Sequence, residues 1–192
     1  MLRSALLPAF VLWLAAAPPA RAEPVAYRLD PVHCQVLFFV DHLGFSRQMG
    51  RFTGVEGRFV FDPASWDGAT VEAQIAVDSL WLGDEPWQRK MLSRDFFDVA
   101  EHPTMHFASD RIEATGENTA RVHGQLSLLG VSRPVVLEVT RNRVGRNTFN
   151  LKQTAGFSAR TTIRRSEFGM RRMLAAVGDE VEIVLEIEGI RE

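Results

Sequence analysis

The sequence predicts an all-β domain, an antiparallel barrel or sandwich of roughly eight strands. Three observations predict it. Apolar and polar residues alternate with period two over most of the chain beyond residue 23, in runs separated by Gly, Pro, Asn and Asp. Thirteen phenylalanines supply a core, and most sit on the apolar side of those runs. No repeat, low-complexity tract or linker-like stretch divides the chain.

Residues 1–22 read as a signal peptide and stand apart from the fold. Arg3 gives a positive start, Ala5 to Ala17 is apolar apart from Pro8, and Ala20-Arg21-Ala22 suits cleavage before Glu23. The run falls short of the roughly 20 apolar residues a spanning helix needs. The expected mature chain is therefore one domain, residues 23–192, in the periplasm and without an integral membrane segment. All 24 acidic residues follow the leader, against 20 of the 22 basic ones, a formal net charge of −4. That balance gives no support for nucleic-acid binding, which uses a concentrated basic surface. Cys34 is the single cysteine, so no intrachain disulfide can form, and its apolar strand suits a buried, inert thiol.

The elements follow in order. His33–His42 carries Cys34, Val36, Phe38, Val40 and His42 on one face. Gly50–Asp62 reads as one strand bent at Gly54 and Gly57, with Phe52, Phe59 and Phe61 as its apolar residues. Ala69–Asp78 turns Val71, Ala73, Ile75 and Val77 one way. Asp84 can cap a short helix with Glu85 and Pro86 in its first turn; Trp87 and Met91 then share a face, and Phe96 and Phe97 add apolar mass. This helical insertion, around residues 84–100, reads as a lid on one barrel end. Pro103 resets the chain to extended geometry. Thr104–Ile112 then places Met105, Phe107 and Ser109 on one side. Arg121–Leu129 turns Val122, Gly124, Leu126 and Leu128 inward, Gly130–Pro134 makes a tight turn, and Val135, Leu137 and Val139 continue. Residues 140–148 read as an exposed hairpin tip. Phe149–Ile163, with Phe157 and Ile163 inward, and Val181–Ile187 complete the set.

Catalytic patterns are missing from the sequence. Gly44-Phe45-Ser46 and Gly156-Phe157-Ser158 lack the trailing glycine of a nucleophile elbow, and no glycine loop opens a helix after a strand. His102 and His106 have a chelating spacing only on a helix; along a strand they stand about 13 Å apart. No metal site is expected. Arg160, Arg164 and Arg165 close a strand and read as surface pairs, with anion binding as the alternative.

Several segments together resemble the YceI-like family. They are Tyr27-Arg28-Leu29-Asp30-Pro31-Val32-His33, Gly50 with Phe52 and Gly57, and Asp78-Ser79-Leu80. To these add the run from Asp95 to Ser109 (DFFD, Pro103, Phe107, Ser109), Gly124-Gln125-Leu126 with Gly130-Val131-Ser132, and Ile163 to Gly169. The family comprises secreted bacterial proteins whose lipocalin-like barrel binds isoprenoid lipids. The resemblance implies an eight-stranded antiparallel barrel around a polyisoprenoid, quinone or fatty-acyl chain, with no further cofactor, often as a homodimer. One segment departs: where many members carry an Arg-Asp pair and a histidine before DFFD, this chain has Trp87-Gln88-Arg89-Lys90-Met91.

Small barrels either fill with side chains or hold one ligand. Inward rows that mix Phe38, Phe52, Phe107 and Phe157 with Ala73, Gly124 and Ala159 are expected to leave a channel. The expected ligand-contacting set is Val36, Phe38, Val40, His42 and Phe52, then Phe59, Val71 and Ile75, then Trp87, Met91 and Phe97 from the lid. Phe107, Leu126, Leu128, Leu137, Phe157 and Ile163 complete it. The expected function is non-enzymatic lipid binding, for transport, storage or stress protection. The alternatives are an enzyme or isomerase using His42 as acid or base, and a solidly packed barrel acting through its surface.

Overall fold

The computed structural model describes residues 24–192; the leader expected over residues 1–22 lies outside the described residues. The strands are β1 (Val25–Leu29), β2 (Gln35–His42), β3 (Ser46–Phe52), β4 (Val55–Asp62), β5 (Ser65–Ala76) and β6 (Leu80–Trp81). After helix α1 (Glu85–Leu92) come β7 (Thr104–Ala114), β8 (Thr119–Leu128), β9 (Val131–Arg146), β10 (Gln153–Arg164) and β11 (Val177–Arg191). Neighbours pair antiparallel in the order β1-β4-β5-β7-β8-β9-β10-β11, and β11 returns to β1, closing an eight-stranded barrel. Strands β2, β3 and β6 continue from β11 as a flap. The length of β11 permits both roles: Gly189–Arg191 pairs with β1, and Val177–Glu186 pairs with β2. Among the described residues no helix is long and apolar enough to cross a membrane.

The two ends of the barrel differ. At one, the rings of Phe61, Trp66 and Phe157 meet with centroids 5.2 to 6.0 Å apart. Phe59 joins edge-on to Phe157 at 5.3 Å, and Tyr27 stacks on Phe59 at 4.9 Å. Arg141 lies 5.9 Å over Phe61 and donates to Pro63 and Asn118, tying the neighbouring turns across this plug. At the other end, α1 and the segment after it form the lid. Asp84 caps the helix as expected, its Oδ1 accepting from the Trp87 amide at 2.8 Å. Phe96 and Phe97 are buried, and the Val77 amide donates to the Pro103 carbonyl at 2.9 Å.

Several expected boundaries are corrected. Gly50–Asp62 is two strands: β3 belongs to the flap and β4 to the barrel wall, and the crossing is fixed by Thr53 and Gly54 bonding to Ser79 and Ala76. Gly57 is needed where β4 meets β5, because its φ is +146° and a Cβ there would lie 2.2 Å from the Glu72 carbonyl oxygen. The helical part of the 84–100 insertion ends at Leu92, the rest being turns. A bulge between Ser109 and Arg111 breaks the alternation of β7, so Ile112 faces inward while Ser109 accepts the Val71 amide. Leu129-Gly130, both at positive φ, is the whole turn before β9, which runs through 131–134 and on to Arg146. The exposed tip is therefore residues 147–152, with Phe149 96% exposed.

Candidate functional site

Between plug and lid lies a cavity of about 250 Å³ that is partly open to the outside. Its wall takes Val36, Phe38 and Val40 from β2, Phe52 from β3, Phe59 from β4, and Val71, Ala73 and Ile75 from β5. Met91 and Phe97 enter from the lid, Phe107 from β7, Leu126 and Leu128 from β8, and Leu137 from β9. Phe157, Ala159 and Ile163 come from β10, and Val177, Val181, Ile183, Leu185 and Ile187 from β11. Of the expected ligand-contacting set, all line this space except His42 and Trp87. His42 ends β2 opposite Ser46 and Val177, half-buried and outside the wall. Trp87 is half-buried against the core, one turn before Met91.

The void is unevenly placed. The plug residues Phe59, Phe61, Trp66 and Phe157 are buried, whereas Val36, Phe38, Val40, Ile183, Leu185 and Ile187 are only half-buried although they face inward. Val71, Ala73, Leu126, Leu137 and Ile163 are half-buried as well, so the space lies along β2, β11 and the wall strands facing them, away from the plug. Gly124 contributes none of it: the Phe107 ring occupies the place its Cβ would take, at 2.6 Å, so the expectation of a channel there is corrected. Ala73 and Ala159 do face the space.

The wall is almost wholly apolar; Thr70, Thr161, Arg165 and Trp66 bring its only polar side-chain groups among the described residues. The Trp66 indole donates to Glu117. Arg165 is the residue that sequence reasoning missed. The sequence groups it with Arg160 and Arg164 as surface cations, yet only those two are exposed, Arg164 near Glu180 at 3.7 Å. Arg165 is 4% exposed, and its guanidinium donates to the carbonyls of Gly178, Met170, Arg172 and Val177 at 2.7 to 2.9 Å. The signal was present: Ala155, Phe157, Ala159, Thr161 and Ile163 form an inward row, and residue 165 is next. Burial pulls the Arg165 pKa down from its ordinary value, and nearby Asp179 opposes that. Asp179 accepts the Ser166 amide and hydroxyl; burial alone would raise its pKa, but these bonds and Arg165 hold it low. Residues 170–178 are thus folded around one cation.

Outside the barrel, Asp30, His33 and Glu188 bring their ligand atoms within 4.8 Å of one another. Asp30 is already committed: one oxygen accepts the Val32 amide and the other bonds His33 Nδ1 at 2.8 Å, shaping the turn into β2. Buried Cys34 donates to the Glu188 carbonyl, and burial raises its pKa, as an unreactive thiol requires. His106 bonds Glu72, and His102 lies at the Gly130 turn, so these two do not converge.

The chain matches the model of the YceI-like domain over residues 27–189. It belongs to the YceI-like family. Among curated relatives, this YceI-like chain is 30% identical over 174 residues to a UPF0312 protein of Pseudomonas putida (strain W619), covering 90% of each. It is 32% identical over 160 residues to a UPF0312 protein of Azotobacter vinelandii, covering 83% of each. Among solved structures it is similar to BcnA of Burkholderia cenocepacia, with a TM-score of 0.75 and 26% identity over 83% of this chain and 98% of that one. It also resembles a polyisoprenoid binding domain from Saccharophagus degradans, with a TM-score of 0.65 and 16% identity over 88% and 99%, a likeness of fold alone.

Proposed function

We propose that this YceI-like protein is a non-enzymatic periplasmic carrier that encloses one long isoprenoid-type chain. The observation that carries the reading is the apolar cavity of about 250 Å³ inside a closed β wall. Apolar wall left facing that space forgoes about 0.8 kcal/mol for each methylene equivalent that stays unburied. A hydrocarbon guest recovers that loss. Ten buried methylene equivalents contribute about 8 kcal/mol, enough for micromolar binding before ordering costs are subtracted. Among the described residues the wall presents no carboxylate or imidazole to a guest, which favours binding over turnover, and a catalytic His42 lacks geometric support because it stands outside the wall. The Saccharophagus degradans domain of the same fold is described as polyisoprenoid binding. The leader pattern over residues 1–22 supports a periplasmic site.

The test is to extract protein purified from its native host and identify the organic-soluble molecules by mass spectrometry. A prenyl lipid or quinone in stoichiometric amount is expected. An empty extract, together with no uptake of a fluorescent prenyl analogue, rejects the proposal.

A further inference from the structure

We propose that the rim formed by the β2–β3 turn and the loop before β11 is a docking surface for an anionic lipid bilayer. The inference rests on the lipid-carrying reading above and locates where the guest is exchanged. Two connections build the rim, and the backbone ties them together. Leu43 and Gly44 form the tight β2–β3 turn at positive φ, and the Phe45 amide donates back to His42. The Leu43 amide donates to the Ala176 carbonyl at 2.9 Å, and the Ala176 amide donates to Met173 at 2.9 Å.

This arrangement brings large apolar side chains to one edge and leaves them in water. Phe45 is 87% exposed, Leu43 53%, Met173 52% and Leu174 41%. Such a concentration on a water-soluble surface marks a contact site. The display is held in place: Arg165 binds the carbonyls of Met170, Arg172 and Val177 beneath it. The same two segments also reach the cavity, through Val40, Met170 and Val177. A lipid entering here passes from one apolar environment to another.

Charge selects the partner. Arg171 and Arg172 are exposed beside these apolar residues and make no ion pair among the described residues. Arg172 also lies near Asp95 at the lid, a carboxylate already paired with Lys90 and flanked by Arg94, so cations outnumber this acid where the lid meets the rim. A formal net charge of −4 over residues 23–192 would otherwise keep the protein from an anionic membrane. Apolar side chains flanked by arginines that form no salt bridge among the described residues match an interface of acyl chains and anionic headgroups. A second copy fits less well, because a two-fold contact sets like arginines on facing patches.

Co-sedimentation of the purified protein with phosphatidylcholine vesicles, with and without phosphatidylglycerol, tests the proposal. Binding to the mixed vesicles, weakened by salt, is expected. The pairs Phe45→Ser with Met173→Ser, and Arg171→Glu with Arg172→Glu, are each expected to lower the bound fraction about tenfold. Their melting temperature and uptake of a soluble prenyl analogue should match the parent protein. Equal binding by the variants, or no binding by the parent, overturns the proposal. Loss of a dimer in the variants without vesicle binding by the parent overturns it too, assigning the rim to self-association. Analogue uptake without vesicle binding rejects docking alone; vesicle binding without uptake supports docking and rejects the lipid-carrying reading.

Discussion

The ring of Phe97 meets the ring of Phe52 edge-on, with centroids 5.4 Å apart and planes at 88°. This contact joins the lid to the flap, two parts of the chain that share no strand pairing. Both residues also line the cavity, so the same contact closes the space and holds its cover. The joint is wholly apolar, and its strength comes from burial and ring geometry.

Phe97→Ala is expected to lower stability by about 3–5 kcal/mol and to speed release of a cavity-bound lipid. Urea unfolding and the off-rate of a fluorescent prenyl analogue measure the two effects. Parental values for both would mean that the lid is held elsewhere.

Arg165→Met removes the donors that satisfy four carbonyls between Met170 and Gly178. A loss of at least about 2 kcal/mol is expected, with faster amide exchange confined at first to residues 170–178. Arg165→Lys should fall between, since an ammonium offers three donors and no planar fork. Unchanged exchange in Arg165→Met would contradict the clasp.

Ile183→Trp places a larger side chain at a half-buried wall position next to the void. Because space is available, stability should change by less than about 1.5 kcal/mol, while retention of copurified lipid falls. Full retention in a folded variant would show that the guest lies elsewhere.

The Asp30–His33 pair gives a small, signed pH dependence. The hydrogen bond to Asp30 raises the His33 pKa above its ordinary 6.5. Its contribution is therefore complete below about pH 6.5 and is lost as pH rises through the raised value. For Asp30, burial alone would raise the pKa, but bonds from His33 and the Val32 amide hold it below 3.8. That contribution is present above about pH 3.8 and fades as pH falls through the lowered value. His33 is over half exposed, so its share stays at or below about 0.5 kcal/mol after screening. His33→Gln should thus lower the urea midpoint slightly near about pH 5.5 and not at all near about pH 8.5. The opposite order would refute the pairing.

Period-two alternation by itself determined which residues face inward wherever a strand runs without a bulge, because a pleated strand alternates its side chains whatever it pairs with; the bulge after Ser109 in β7 is the exception that pairing imposed. That is why Val36, Phe38, Val40, Val71, Ile75, Leu126 and Leu137 were readable as wall residues. The Asp84 cap was equally local, since its partner amide is three residues away. Tertiary structure alone decided how those rows meet. Whether facing rows interlock or leave a void depends on barrel circumference and on which remote strand lies opposite. Phe107 therefore fills the gap at Gly124, while Ile183 and Leu185 face open space. The same distinction governs Arg164 and Arg165: adjacent in sequence and identical in chemistry, they point to opposite sides of the wall, one into water and one into a cage of carbonyl oxygens.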